Sequence, residues 1–260
     1  MLTMKEARER IIVPIDTSSR LKAADLINRL SPLVGGFKIG YEAGFSFGWD
    51  VAAEMVNESG KKLMFDAKLH DIPNTLAKGV RGIVKNFDPW LITMHASATE
   101  RGVQAVAEQA GYTTTCCVTV LTSIDPESDE YAQLYASPIE QQVVDMQSIA
   151  SAGGARRLVC APSELRYTVP SRITAMKYIT PGVRPEWAPA NDQVRMMTPM
   201  QAIAAGADYL VIGRPITQPP EDAPAINGSS EAAVTAIADE IIAGMAQRKT
   251  RFTPPPGNDV

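Results

Sequence analysis

Short apolar runs alternate with helical patterns along almost the whole chain, and this alternation restricts the fold more than any other feature. The runs are Ile11–Asp16, Gly36–Ile39, Lys62–Lys68, Trp90–Ala96, Thr113–Leu121, Arg157–Ala161, Lys177–Pro181 and Tyr209–Gly213. Several are rich in β-branched residues, and each has the length of a buried strand. Helices are expected to begin near Ser19, Asp50, Asn74, Thr99, Ile139, Ser163, Pro199 and Ser230. Within Ile139–Ala152, residues Ile139, Val143, Met146 and Ile149 fall on one stripe. Gly153-Gly154 supplies the stop. Ala233, Ile237, Ile241 and Met245 repeat the pattern near the C-terminus. Strands alternating with helices imply a parallel sheet. Eight such units in 260 residues predict an α/β fold, a single (β/α)8 TIM barrel, a fold of about 250 residues. An open doubly wound sheet is the competing architecture. Against it, no Gly-x-Gly-x-x-Gly follows the first run and no Gly-x-x-x-x-Gly-Lys-Ser/Thr occurs. Residues 1–250 are read as one barrel domain, and 251–260, with Pro254-Pro-Pro-Gly257, as a disordered tail.

A barrel keeps its chemistry at the C-terminal ends of its strands. The polar residues of this chain fall there. Asp16 ends the first run, and Lys38 is near the end of the second. Asp66 and Lys68 end the third, and His95 is near the end of the fourth. Thr122-Ser123 follow the fifth, Arg184 follows the seventh, and Gly213-Arg214 end the eighth.

The stretch Asp66-Ala-Lys-Leu-His-Asp-Ile-Pro-Asn-Thr75 concentrates this chemistry. Alternating strand side chains put Asp66 and Lys68 on one face. A buried face tolerates two charges only when they pair or react. Asp71 lies before Pro73, where a turn is expected. A buried ion-pair network is the plainer account of the three, but such networks stabilise weakly. Lys38 stands alone in Gly36-Phe-Lys-Ile-Gly40, and it either snorkels to water or pairs with Asp66. Asp16 either caps the first helix, ahead of Thr17-Ser18-Ser19, or holds ligand. His95 leans toward a structural role, and His70 toward the surface or the turn.

Loops after the seventh and eighth strands of a barrel commonly bind phosphate. Here they carry Thr180-Pro-Gly-Val-Arg184, Gln193 and Val211-Ile-Gly-Arg-Pro215. Gly213 permits close approach of the backbone to an oxyanion, and Arg214 offers a planar fork to phosphate. A surface role is the plainer account of Arg214.

Net charge is −4 and pI about 5.3, which argues against nucleic acid or a polybasic membrane contact. Cys116, Cys117 and Cys160 are an odd number in apolar runs and are read as buried reduced thiols of a cytoplasmic protein. Two histidines and no Cys-x-x-Cys leave a structural zinc site unsupported. The N-terminus lacks the apolar core of a signal peptide, and no run approaches the ~18 apolar residues of a membrane span.

Taken together, the blocks resemble the orotidine 5'-monophosphate decarboxylase family. They are Asp-x-Lys-x-x-Asp-Ile at Asp66–Ile72, Phe37-Lys-Ile-Gly40, Thr119-Val-Leu-Thr-Ser123, Thr180-Pro-Gly-Val-Arg184, Asn191-Asp-Gln-Val-Arg195 and Val211-Ile-Gly-Arg214. They run in family order over roughly residues 11–216. The resemblance implies decarboxylation of orotidine 5'-monophosphate to uridine 5'-monophosphate, the final step of de novo pyrimidine synthesis, without metal or organic cofactor. It implies Lys68 as proton donor within a network of Lys38, Asp66, Lys68 and Asp71. It implies a homodimer in which Asp71, Ile72 and Thr75 enter the neighbouring subunit's site. Asp16 and Lys38 would hold ribose hydroxyls, and Thr122 and Ser123 the pyrimidine. Arg184, Gln193, Gly213 and Arg214 would close on the phosphate, with Pro181 among the binding residues. Pro185–Asn191 is read as part of a closing loop because of its strand-breaking residues. Mg²⁺-dependent sugar-phosphate decarboxylases and aldolases of the same superfamily share the Asp-x-Lys-x-x-Asp run. They have an acidic residue where Lys38 stands, and lysine cannot ligate Mg²⁺. A non-catalytic nucleotide-binding barrel is the remaining alternative.

Overall fold

The computed structural model describes residues 2–171, 176–188 and 196–251. Eight parallel strands close into a barrel in sequence order. They are β1 Ile11–Pro14, β2 Gly36–Ile39, β3 Lys62–Leu69, β4 Leu91–His95, β5 Thr114–Val118, β6 Arg157–Val159, β7 Lys177–Thr180 and β8 Tyr209–Val211. The (β/α)8 reading therefore stands.

Alternation along the strands builds two apolar layers. Ile12, Met64, Leu91, Cys116, Ile179 and Val211 pack with one another inside the barrel. Their neighbours in sequence, such as Ile11, Leu63, Ile92, Cys117 and Tyr178, face the surrounding helices. The helices return matching stripes. Val143 and Met146 are buried on the helix Ile139–Ala152, with Ile139 and Ile149 partly covered against the same core. Ala233, Ile237 and Ile241 are buried on the final helix, Ser230–Arg251. That helix runs through Arg251, the first residue of the expected tail, and residues 252–260 lie outside the described residues.

The N-terminal end of the barrel is stoppered. The rings of Trp90 and Tyr209 meet edge to face at 5.0 Å. The Arg157 guanidinium lies 4.5 Å from the Trp90 centroid, and the Lys62 ammonium lies 5.7 Å from both rings. Cations over aromatic faces are attracted by the ring quadrupole.

Several strands are shorter than expected. β1 stops at Pro14, β7 at Thr180 and β8 at Val211. Asp16, Pro181 and Gly213 therefore lie beyond their strands, on the loops. The apolar pattern ran on because loop residues such as Ile212 remain buried. The segment expected to hold one helix near Asp50 holds two, Tyr41–Phe47 and Trp49–Glu58, divided at Gly48 with φ +99°. Short helices at Met4–Arg8, Asp129–Leu134 and Arg214–Thr217 were not anticipated. Helices this short carry almost no periodic signal.

β3 is the longest strand, with 8 residues, and it departs from its ladder with β4. Phe65 pairs with Ile92 and Leu69 with Met94, so four steps on β3 match two on β4. The extra residues contain Asp66 and Lys68. Lys68 has φ +47°, left-handed backbone that a lysine rarely adopts. Bulges re-aim side chains, and they concentrate beside active sites.

Candidate active site

The register places Lys38 beside Met64, whose side chain belongs to the barrel interior. Asp66 lies two residues beyond Met64, so it rises on the same face one layer nearer the mouth. Its carboxylate is the centre of the site. The Lys68 ammonium donates to Asp66 Oδ2 at 2.8 Å. The Lys38 Nζ lies 3.3 Å from the same oxygen and 3.4 Å from Asp16 Oδ1. The result is a continuous row, Asp16–Lys38–Asp66–Lys68, with charges of alternating sign. Of the two possibilities for Lys38, pairing is the one realised. Asp16 pairs with Lys38, while capping of the helix Arg20–Leu30 falls to Ser19.

Burial by itself would raise the Asp66 carboxyl pKa. The Lys38 and Lys68 ammonium groups and the hydrogen bonds from Lys68 and Thr93 outweigh it, and the pKa is lowered. Burial likewise opposes the charge on Lys38, but Asp66 and Asp16 raise its pKa. Both groups therefore stay ionised at neutral pH. For His95, burial lowers the pKa and the nearby His70 and Lys68 lower it further, against a smaller pull from Asp66. The two histidine rings meet at 5.6 Å, and exposed His70 is just past β3. Burial drives the Cys117 thiol up to about 12 and also raises the Cys116 thiol well above its usual value, which leaves both inert.

Asp71 is not part of this row. It is exposed, and its Oδ1 accepts the Ile72 N–H at 2.6 Å. Ile72 then caps the helix Pro73–Phe87, whose first turn holds Thr75. Ile72 is 65% exposed, unusual for an isoleucine. Three of the four expected members, Lys38, Asp66 and Lys68, thus meet within one chain, and Asp16 joins them as a fourth. The turn after Leu69 leaves Asp71 exposed.

The loops expected to bind phosphate do come together with the row. A cavity of about 210 Å³ is lined by Asp16, Lys38, Pro181, Arg184, Gly213 and Arg214. A second cavity of about 350 Å³ shares Asp16, Gly213 and Arg214 and adds Lys22 and Arg29, which the sequence reading passed over. A side chain at Gly213 would sit 3.1 Å from Pro14 Cγ, so the close strand approach favours glycine here. The Arg184 loop is tied down by its N–H donating to Met197 O at 2.9 Å. Thr122 and Ser123 occupy the turn after β5, half-buried and exposed, and neither lines the smaller cavity. Gln193, and residues 189–191 of the expected closing loop, lie outside the described residues.

Three contributors were missed from sequence. Thr93 donates its hydroxyl to Asp66 Oδ1 at 2.8 Å and accepts the Lys68 N–H at 3.0 Å. Gly40 leaves space for an ammonium, since a Cβ there would lie 3.0 Å from Lys38 Nζ. The Tyr41 hydroxyl donates to Ala67 O at 2.9 Å, and its ring centroid lies 5.8 Å from Lys68 Nζ. A lone hydroxyl inside Leu91-Ile-Thr-Met94 was the available signal for the first.

An orotidine 5'-phosphate decarboxylase from Rhodopseudomonas palustris (strain BisA53) is 37% identical over 242 residues, covering 93% of this chain and 98% of the relative. One from Paramagnetospirillum magneticum is 38% identical over 216 residues, covering 80% and 91%. Among solved structures, orotidine 5'-phosphate decarboxylase from Lactobacillus acidophilus superposes with a TM-score of 0.73 at 26% identity, covering 89% of this chain and 98% of its own. The model of one family matches residues 9–227. With the barrel, the Asp-Lys row and these relatives in agreement, the chain belongs to the orotidine 5'-phosphate decarboxylase / HUMPS family.

Proposed function

We propose that this carboxy-lyase converts orotidine 5'-monophosphate to uridine 5'-monophosphate in the cytoplasm, as the last step of de novo pyrimidine synthesis, with Lys68 as the proton donor. The observation that carries the reading is the Lys68 ammonium, held 2.8 Å from Asp66 Oδ2 beyond the stoppered barrel core. In the reaction the bond between C6 and the carboxylate breaks. Its electron pair stays on C6, carbon dioxide departs, and C6 takes a proton from Lys68 Nζ. An ammonium fixed beside the developing carbanion stabilises it without reorganising, and the proton is already in place. Neutral lysine then recovers its proton from water.

Asp66 faces the departing carboxylate, and Asp16 and Lys38 hold ribose hydroxyls. Thr122 and Ser123 meet the pyrimidine. Pro181, Arg184, Gln193, Gly213 and Arg214 surround the phosphate, whose binding energy is available to lower the barrier at C6. The protein works as a homodimer. Asp71, Ile72 and Thr75 complete the partner subunit's site, which accounts for an exposed isoleucine beside an exposed aspartate in one turn. Residues 1–250 act as one catalytic domain.

No cofactor or metal is needed. The Lys38 ammonium, 3.3 Å from Asp66 Oδ2, already supplies the positive charge that a cation would bring to that carboxylate. The test is the ultraviolet absorbance of orotidylate mixed with purified protein and a chelator. A sustained absorbance change, with stoichiometric uridylate, is expected. Turnover that vanishes with chelator and returns with Mg²⁺ would favour the metal-dependent sugar-phosphate chemistry of the superfamily.

A further inference from the structure

We propose that Thr93 is a positioning residue for the decarboxylation, its hydroxyl setting both the backbone of Lys68 and the orientation of the Asp66 carboxylate. This rests on the reading of Lys68 and Asp66 as the reacting pair.

Thr93 is fully buried at the centre of β4, with 0% of its surface exposed. Its Oγ1 is 3.0 Å from the Lys68 N–H and 2.8 Å from Asp66 Oδ1. The direction of the pair is set by chemistry. A backbone N–H can only donate, so it uses a hydroxyl lone pair. An ionised carboxylate can only accept, so it takes the single hydroxyl proton. Asp66 Oδ1 is thereby committed to Thr93. Oδ2 is left to face the two ammonium groups, Lys68 at 2.8 Å and Lys38 at 3.3 Å.

The bulge explains why a side chain is required. Phe65 is in register with Ile92 and Leu69 with Met94, so Thr93 alone stands opposite Asp66, Ala67 and Lys68. In a regular ladder a β4 carbonyl would accept the Lys68 N–H. Here the hydroxyl takes that place, and it holds Lys68 at φ +47°. Left-handed backbone at a non-glycine residue persists only where its surroundings over-determine it. One oxygen atom thus links the strained residue to its counter-ion across two strands. Nothing else among the described contacts ties the Lys68 main chain to the Asp66 side chain.

The test uses the full-length protein. Thr93→Val keeps the shape and removes the hydroxyl, whereas Thr93→Ser keeps the hydroxyl. Thr93→Ala replaces the Val variant if valine does not fold. The expected result for the Val variant is a fall in kcat of about 10- to 100-fold, the scale of a slightly misplaced reacting group. KM and uridylate affinity stay within about threefold, because the nucleotide contacts lie elsewhere. The acid limb of the pH–rate profile moves upward, since Asp66 loses a donor to its charged form. Thr93→Ser recovers most of kcat. A Val variant with normal kcat and pH profile would overturn the assignment, as would a Ser variant as impaired as Val. Lys68→Ala is run alongside. Full activity in that variant would sink the catalytic reading itself, a result separable from failure of the Thr93 assignment.

Discussion

The ammonium groups of Lys38 and Lys68 converge on one atom, Oδ2 of Asp66, at 3.3 and 2.8 Å. Two cations sharing an oxygen repel each other, so the arrangement depends on that carboxylate staying ionised. Asp16, 3.4 Å from Lys38, balances the row. On the proposed reading, a substrate carboxylate beside Asp66 would meet a group that cannot easily take a proton to relieve repulsion, and the Lys68 ammonium would protonate C6.

Lys68→Ala removes both the fixed charge and the proton. Loss of a general acid costs about 10²- to 10⁴-fold, and loss of a preorganised charge is of similar size. The expected fall in kcat is therefore at least about 10³-fold. Uridylate titration should still report binding, because the residues proposed to hold phosphate and ribose are unchanged. The check is the absorbance assay together with product-binding isotherms.

Asp66→Asn leaves two partly buried ammonium groups without their shared counter-ion. Breaking a buried pair from one side costs about 3–5 kcal/mol, and the urea midpoint should fall accordingly. Its pH dependence has a definite sign. The Asp66 pKa is lowered on folding. Its stabilisation is therefore present above the unfolded carboxyl pKa of about 4 and is lost as pH falls through the depressed folded value. The gap in stability between wild type and the Asn variant should narrow below pH ~4.

His95 gives a second pH signature. Its pKa is lowered on folding, first by burial and then by the nearby His70 and Lys68. Protonation is thus easier in the unfolded chain. Stability should be full above the unfolded value of about 6.5 and decline as pH falls below it. His95→Gln is expected to flatten the urea midpoint between pH 5 and 7, on the scale of a histidine titration. An unchanged slope would contradict the assignment.

Gly40→Ala tests the space beside Lys38. The new Cβ would lie 3.0 Å from Nζ, closer than ordinary packing allows. Gly40 has φ −118°, so backbone strain is absent. Only the ammonium must move. The expected outcome is a kcat lowered by about tenfold with little change in thermal midpoint, the scale of a small displacement in a reacting site.

Arg214→Ala tests the phosphate loop. Charge-assisted hydrogen bonds are worth about 1.5–3 kcal/mol. Uridylate affinity should fall by about 10- to 100-fold and uridine affinity by much less. Equal losses for both ligands would remove the phosphate assignment.

Much of this was readable from residue order alone. Strand–helix alternation and the two apolar periods are local properties of the chain, so the (β/α)8 barrel followed from them. The spacing of Asp66 and Lys68 put both on one strand, and their charge marked the site. Strand ends were less readable. Ile212 stays buried just past β8, and hydrophobicity does not register the end of a hydrogen-bond ladder.

The bulge in β3, the left-handed Lys68 and the hydroxyl that holds it were decided only when β3 met β4. Thr93 stands 27 positions from Asp66. No period or spacing joins them, because register is a property of two strands together. The same is true of Asp71: its sign and place in the motif were plain, but its exposure in the turn after Leu69 was not. Local order in the chain therefore determined the scaffold and the identity of the charged groups, while packing between strands determined which oxygen each of them faces.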